Sequence, residues 1–289
     1  MALRLRGRKS LPKGFVLSKP INPSDYDESV IYKLEQKRRL IITRKHDGWK
    51  VFVWVREDGA HFYTAGLNLI DSRLNHLASI IQERMDLFKV RNTLLVGECI
   101  LEVDGEDDVG KVNSFFKADL AKAQKLQEEF GKVQLRLFGM VPENGKEVSE
   151  EYSALGIFIH LLRTFVNCTL VGTVEGVVSS YDDAKKTVVK KGWEGLVLYD
   201  SHYHYQYRLD GKAPKRPDGC YKWKPILEDD FIVAGHFLSE NDPKRLKEVV
   251  LHQIDPVTGK EFECGKLGSF DRDTRAELYE LLVNRELYG

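Results

Sequence analysis

Cysteine is scarce in this chain. Cys99, Cys168, Cys220 and Cys264 are the four among 289 residues, scattered and without a CxxC pair. That excludes a disulfide framework and the paired spacing of a zinc site. Long apolar runs are also lacking: none approaches the ~18 residues needed to span a bilayer. The basic opening residues are followed by no apolar stretch, so they do not read as a secretory signal; a cytoplasmic protein is the expectation. The third absence is net charge. Lys and Arg number 44, as do Asp and Glu, which argues against a protein that grips polyanions over its whole surface.

Charge is present, but unevenly placed. The first fifty residues carry 13 Lys/Arg against 5 Asp/Glu, and residues 199–224 carry 6 Lys/Arg against 3 Asp. The latter stretch also holds Tyr199, Tyr203, Tyr205, Tyr207, Tyr221 and Trp223. A basic surface with interleaved aromatics suits contact with a phosphate backbone; a solvated face beside an aromatic-rich strand pair is the alternative. Arg4, Arg6, Arg8 and Lys9 form a candidate backbone-contacting arm.

Periodicity predicts the elements. Residues 1–25, punctuated by Pro12, Pro20 and Pro23, read as loop. Strands are predicted at 40–43, 50–56, 61–64, 94–103 and 133–141, with a hairpin turn at Asp58 and Gly59. Leu74, Leu77, Ile80, Ile81 and Met85 recur at helical spacing, predicting a helix over 70–88. Further helices are expected at 118–130, 149–168 and 182–191, the last ended by Gly192. Strands 195–199 and 220–224 follow. Beyond Pro225 come three more strands, near 229–237, 247–254 and 260–267, with a turn at 256–259 and a closing helix at 271–284. The sum is a mixed α+β domain over 1–225 and a small, mostly β domain over 226–289.

Certain polar residues sit where chemistry is needed to explain them. Lys45 opens the run KHDGWK, at a junction between two strands. A lysine with an ordinary pKa of about 10.4 is almost wholly protonated at neutral pH, and becomes a nucleophile where nearby cations or burial favour the free amine. Glu98 lies within an apolar strand, where an unpaired carboxylate is costly; an arginine or a metal would answer it. Glu194 precedes the strand at 195–199. Lys222 and Lys224, two apart, share one strand face; they could face water, or hold an anion such as a triphosphate between them.

Taken in order, KHDGWK from Lys45, VGE ending at Glu98, LFGM around Phe138, EGLVL from Glu194 and KWK from Lys222 to Lys224 resemble the covalent nucleotidyltransferase superfamily. Within it they resemble the compact ATP-dependent DNA ligases, from about Leu17 to the end. The resemblance implies an α+β fold: a nucleotidyltransferase (adenylation) domain of antiparallel sheets with flanking helices at 1–225, then a small oligonucleotide-binding (OB)-like β domain at 226–289, apparently truncated. It implies ATP and Mg²⁺ as cofactors and nicked duplex DNA as the partner of a monomer. Lys45 would take AMP from ATP as a phosphoramide. AMP would then pass to the 5′-phosphate of a nick and be displaced by the 3′-hydroxyl. Thr43, Lys45, Lys50, Glu98, Phe138, Lys222 and Lys224 are the implied nucleotide-binding residues, with Phe138 stacking on adenine. Glu98 and Glu194 are the implied metal ligands, and Lys222 and Lys224 join Lys45 as catalytic residues. Asp47 and Gly48 would shape the turn.

The sequence departs from the family pattern in four places. Thr43 stands where these ligases often have a glutamate that reads adenine, and Lys50 where arginine is usual, which keeps the charge but loses the bidentate fork. No arginine lies in the segment YTAGL from Tyr63, Arg73 being the nearest substitute. The basic last motif of the OB domain is not visible. Three other readings follow from the same residues: an RNA ligase, an mRNA guanylyltransferase that takes GTP, and a noncatalytic nucleic-acid-binding relic.

Overall fold

The structure is a computed structural model that describes Leu3, Leu5, Arg8 and residues 10–88, 92–103, 105–142, 149–226 and 230–284. Arg4, Arg6 and Lys9 of the basic arm lie outside the described residues. Contacts divide the chain into two compact units, Met1–Pro225 and Ile226–Gly289. No helix among the described residues is long and apolar enough to cross a membrane.

The first unit runs β1 (Val16–Leu17), α1 (Ser29–Gln36), β2 (Leu40–Lys45), β3 (Trp49–Arg56), β4 (Gly59–Thr64), α2 (Asn75–Leu87) and β5 (Thr93–Ile100). It continues through β6 (Glu102–Val103), β7 (Glu106–Asp107), α3 (Val109–Lys117), α4 (Leu120–Phe130), β8 (Gln134–Val141) and α5 (Ala154–Thr164). It ends with β9 (Val171–Thr173), α6 (Tyr181–Lys191), β10 (Gly195–Asp200), β11 (Tyr207–Arg208) and β12 (Cys220–Trp223). A five-stranded sheet has the order β4-β3-β5-β8-β9, and a three-stranded sheet the order β12-β10-β2. All pairings in them are antiparallel except β8 with β9, which is parallel.

The central strands of the larger sheet are buried on both faces, so they read as continuous apolar runs rather than alternating ones. Val51, Phe52, Val53, Trp54 and Val55 of β3 are all buried. Leu77, Ile81 and Met85 of α2, Val112 and Phe115 of α3, and Ile157 and Leu161 of α5 belong to the same core. Phe15 also joins it, edge-on to Phe52 at 5.3 Å. A second core lies against the smaller sheet, where Ile42, Leu196, Leu198 and Tyr221 meet Ile31 and Leu34 of α1 and Tyr181, Ala184 and Val188 of α6. Helix α6 is bounded as its sequence predicts: Ser180 accepts the Asp183 N–H at 3.2 Å, and Gly192 ends it at φ +62°.

Several boundaries differ from the expectations. The turn of the β3–β4 hairpin is Glu57 and Asp58, and Gly59 already pairs with Arg56. Helix α1 buries only Ile31 and Leu34 and has no side-chain N-cap, too faint a stripe to read. Helix α3 is capped by Asp108, which accepts the Lys111 N–H at 2.8 Å; that cap is hidden in an acidic run. The three residues of β9 are too few to show alternation.

The second unit is an antiparallel sheet in the order β13 (Ile232–Ser239), β14 (Asp242–Ile254), β15 (Glu261–Leu267), followed by α7 (Arg272–Tyr279). Strand β14 starts earlier than expected because the tight hairpin pairs Asp242 with Ser239. Leu246 and Val249 are its buried apolar residues. Arg275 of α7 donates to the carbonyls of Leu246 and Gly268.

Ile31 is fully buried between α1 and the smaller sheet, so Ile31→Ala should lower unfolding free energy in urea by about 2–5 kcal/mol. Val178→Ala, at a fully exposed side chain, should change it by less than about 0.5 kcal/mol.

Candidate active site

Side chains on a strand alternate between faces, and the two faces of the smaller sheet have different fates. One carries the apolar residues of the second core. The other lines a cavity of about 220 Å³. The register sets Thr43 and Lys222 on either side of Val197, and Lys45 opposite Gly195. Thr43, Lys45, Val197, Tyr199, Cys220 and Lys222 therefore form one wall. The larger sheet supplies the facing residues Lys50, Glu98 and Phe138, and the segment of Leu17, Ser18, Lys19 and Pro20 closes the side.

Lys45 is the junction of this arrangement. Its ammonium donates to Glu194 Oε2, while Glu194 Oε1 meets Lys224 Nζ at 2.5 Å. One carboxylate thus bridges Lys45, at the end of β2, and Lys224, just past the end of β12. Gly195 leaves room for the bridge: a Cβ there would lie 2.2 Å from the Trp223 carbonyl oxygen and 3.2 Å from Lys224 Cγ. Gly48 is required by a similar close approach, since its Cβ would fall 2.3 Å from the Cys99 carbonyl oxygen and 2.9 Å from Glu98 Cγ. That packing presses the turn after Lys45 onto β5.

Lys50 and Glu98 stand directly opposite one another on β3 and β5. Burial holds the Lys50 amine below its ordinary range, with Glu98 opposing the shift. Burial pushes the Glu98 carboxyl up to about 7; Lys45 and Lys50 pull it down, and Glu194 and Asp47 reinforce the rise. Burial and then Glu194 also raise Asp47. Lys222 is lowered by burial and by the neighbouring charges of Lys224, Arg216 and Lys45. The site thus gathers cations faster than it compensates them, the electrostatic signature of an anion-binding cavity. Phe138 is half-buried with its ring on the lining. Thr43 donates its hydroxyl to the Val197 carbonyl at 3.1 Å, leaving only lone pairs to offer.

Behind the Lys45 turn lies a carboxylate that the sequence reading passed over. Asp107, on β7, accepts from Arg44 at 3.1 Å, from His46 Nδ1 at 3.0 Å and from the Asp47 backbone N–H at 3.1 Å. Burial alone would raise this carboxyl, but the hydrogen bond from His46 and the charges of His46 and Arg44 hold it below the usual carboxylate range. His46 Nε2 is buried with no hydrogen-bond partner among the described residues. The Asp107 carboxylate can only accept, so the hydrogen of its contact with His46 sits on Nδ1. Arg44 also lies over the Trp193 ring at 5.0 Å.

All the residues expected at the site converge on it. Thr43, Lys45, Lys50, Glu98, Phe138 and Lys222 line the cavity, while Glu194 meets Lys45 with one oxygen and Lys224 with the other. Arg73 does not join them; its guanidinium donates to the Ala118 carbonyl at 2.6 Å. Besides Asp107, the sequence reading missed Lys19 and Arg216 on the lining. Of the two readings of the basic, aromatic stretch at 199–224, the burial of its tyrosines favours the aromatic-rich strand pair over a surface of exposed rings. Tyr199, Tyr203, Tyr205 and Tyr221 are buried, the first three in mutual ring contact. Tyr205 donates to the Phe138 carbonyl at 2.7 Å. These rings support the cavity floor instead of waiting for bases in solvent.

Known structures share this fold. The chain superposes on a solved structure named Pmar-Lig_PreS3 with a TM-score of 0.64 at 17% identity, covering 93% of this chain and 60% of that one. For Pmar-Lig_Pre. the TM-score is 0.62 at 18% identity, with 96% and 60% covered. For a structure from a study of Lig E DNA ligases, described as DNA binding with a minimal scaffold, it is 0.60 at 17% identity, with 91% and 87% covered. The chain spans about three fifths of the length of the first two. The architecture is therefore the α+β fold of DNA ligase structures, with antiparallel sheets and flanking helices. No protein-family model and no curated protein matches the sequence.

Glu98 makes a pH prediction. Its folded-state pKa of about 7 lies above the ordinary 4.5, so between these values the folded chain holds a proton that the unfolded chain has released. Its contribution is fully present below pH 4.5 and is lost as pH rises through about 7. In metal-free buffer, urea unfolding should show wild-type stability falling across this window relative to Glu98→Gln. Parallel stability curves for the two proteins would contradict the assignment.

Proposed function

We propose that this chain is an ATP-dependent DNA ligase that seals nicks in duplex DNA, as a monomer, through a lysyl-AMP intermediate on Lys45. The observation that carries the reading is the cavity itself. An amine held by a carboxylate stands at one end, cations line the walls, and an aromatic ring faces the interior.

Adenine stacks on Phe138, whose ring offers area at low entropic cost. Thr43 faces the cavity as an acceptor because its hydrogen is committed to Val197; that polarity suits the amino group of adenine and not the carbonyl of guanine. Lys50 and Glu98 lie beside the sugar. Lys222 and Lys224 hold the α-phosphate and offset the charge that grows on its oxygens during transfer. The Lys45 ammonium releases one proton to water. The free amine then forms the P–N bond as the bond from phosphorus to the pyrophosphate oxygen breaks, and the nitrogen sheds a second proton to water as pyrophosphate leaves. Glu194 stands in contact to orient the amine and receive its hydrogen bond.

Mg²⁺ is a hard ion that takes one or two carboxylates together with phosphate oxygens. Glu98 fits as a donor: its carboxyl has neither hydrogen bond nor ion pair among the described residues and lies on the cavity wall. Glu194 would have to exchange a lysine contact for the ion. When bound, the ion supplies positive charge against the phosphate oxygens. The small three-stranded unit reads as an OB-like module for the duplex, and the Lig E relative is a DNA ligase studied for DNA binding.

The test is intact mass after incubation with Mg²⁺ and either ATP or GTP, followed by sealing assays on nicked DNA and on RNA strands. The expected result is a gain of one AMP from ATP only, absent in Lys45→Ala, with preference for DNA ends. A gain of one GMP would make it a guanylyltransferase, and preference for RNA ends an RNA ligase. No adduct, even after pyrophosphate treatment to strip AMP already bound, would leave a binding protein.

A further inference from the structure

Lys45 is fastened from behind. In the stretch Arg44, Lys45, His46, Asp47, the nucleophile is the residue that does not touch Asp107: Arg44 and His46 reach it with their side chains and Asp47 with its backbone N–H. The three contacts converge on one carboxylate, itself largely buried at 6% side-chain exposure, with Arg44 at 9% and His46 at 3%. Asp107 sits on β7, whose pairing with β6 is a two-residue ladder following directly from β5. The strand that carries Glu98 therefore leads into the anchor that holds Lys45, tying the two walls of the cavity together.

We propose that Asp107 is a positioning residue for the nucleophile, fixing the Lys45 turn so that its amine meets the α-phosphate in line. This rests on the nucleotidyltransferase reading of the cavity. Asp107 is not among the residues lining the cavity, and among the described residues its hydrogen bonds and ion pairs are to Arg44, His46 and Asp47, not to Phe138, Thr43, Lys222 or Lys224. Its loss therefore leaves the groups that hold base and phosphate in place and frees only the turn. Three tethers on one group also explain the buried Arg44: its charge is compensated by Asp107 at close range, while Glu175 is farther, at 3.9 Å.

Asp107→Asn keeps size and one acceptor, but it turns an amide toward groups that are all donors. In single-turnover adenylylation its rate at saturating ATP should fall about 100-fold, as small misplacements of a reacting group do, with the ATP concentration for half-maximal rate near wild type. Removal of AMP by pyrophosphate, the same step reversed, should slow by the same factor. Sealing of a nick that already carries the 5′-adenylate does not use the Lys45 amine, and should stay near wild type, which also reports that the variant is folded. His46→Ala, which removes one tether and leaves the Arg44 pair, should show the same split in smaller measure. Unchanged adenylylation in both variants would overturn the proposal, as would an equal loss in adenylylation and in sealing of the adenylated nick. Wild type that neither takes AMP nor seals the adenylated nick would overturn the ligase reading instead.

Discussion

Bringing Lys45, Lys50, Lys222 and Lys224 to one cavity sets four ammonium groups against each other, and the rest of the site depends on how that repulsion is met. Glu194 meets most of it at one end, with one oxygen on Lys45 and the other on Lys224. A bridging carboxylate between two half-exposed lysines is worth far more as a fixer of geometry than as a source of stability. Gly195 leaves open the space across which the two lysines approach it. The larger sheet adds Glu98, whose raised pKa means that it compensates Lys50 only in part. What remains is an excess of positive charge facing a partly apolar cavity, the setting in which a phosphorylated ligand with an aromatic base is bound.

The same requirement explains the architecture around the cavity. Cations held this close need rigid supports, and they sit on strands of two sheets whose outer faces are filled by separate cores. The helices matter to the site only through those cores. Buried tyrosines brace the floor, and Asp107 braces the turn from below. All the named site residues belong to the first unit, which also contains both cores. The second unit buries little and consists of a small three-stranded sheet followed by a helix.

Much of this was legible in the sequence, for a physical reason. Chemistry on β-strands leaves a local record: Lys222 and Lys224 two apart, Glu98 inside an apolar run, Lys45 before a glycine turn. Each of these alone has a bland explanation; their order as five motifs, a family resemblance, assembled the set. Those residues converge in the structure, while the α+β architecture was read from the alternation and helical spacing around them. What stayed hidden depends on distant contacts. Nothing distinguishes Asp107 from the acidic residues beside it until the fold lays it under the Lys45 turn. Lys19 and Arg216 looked like members of basic stretches because only the closing of segment 17–20 over β12 brings them to the cavity. Composition left two readings of the tyrosines of 199–224 open because it cannot say which way a ring points; Tyr199, Tyr203 and Tyr205 pack into one core and Tyr221 into the other. Short elements such as α1 and β9 carry too few apolar positions to show a period.

Of the lysines gathered here, two touch Glu194, and Lys45 is the one that also stands on the turn anchored by Asp107. The direct test is peptide mapping of the protein after reaction with ATP, under alkaline conditions that preserve a phosphoramide, to find which side chain carries AMP. The nucleotide is expected on Lys45, with Lys50, Lys222 and Lys224 unmodified. AMP found on any of those three, or spread among them, would contradict it.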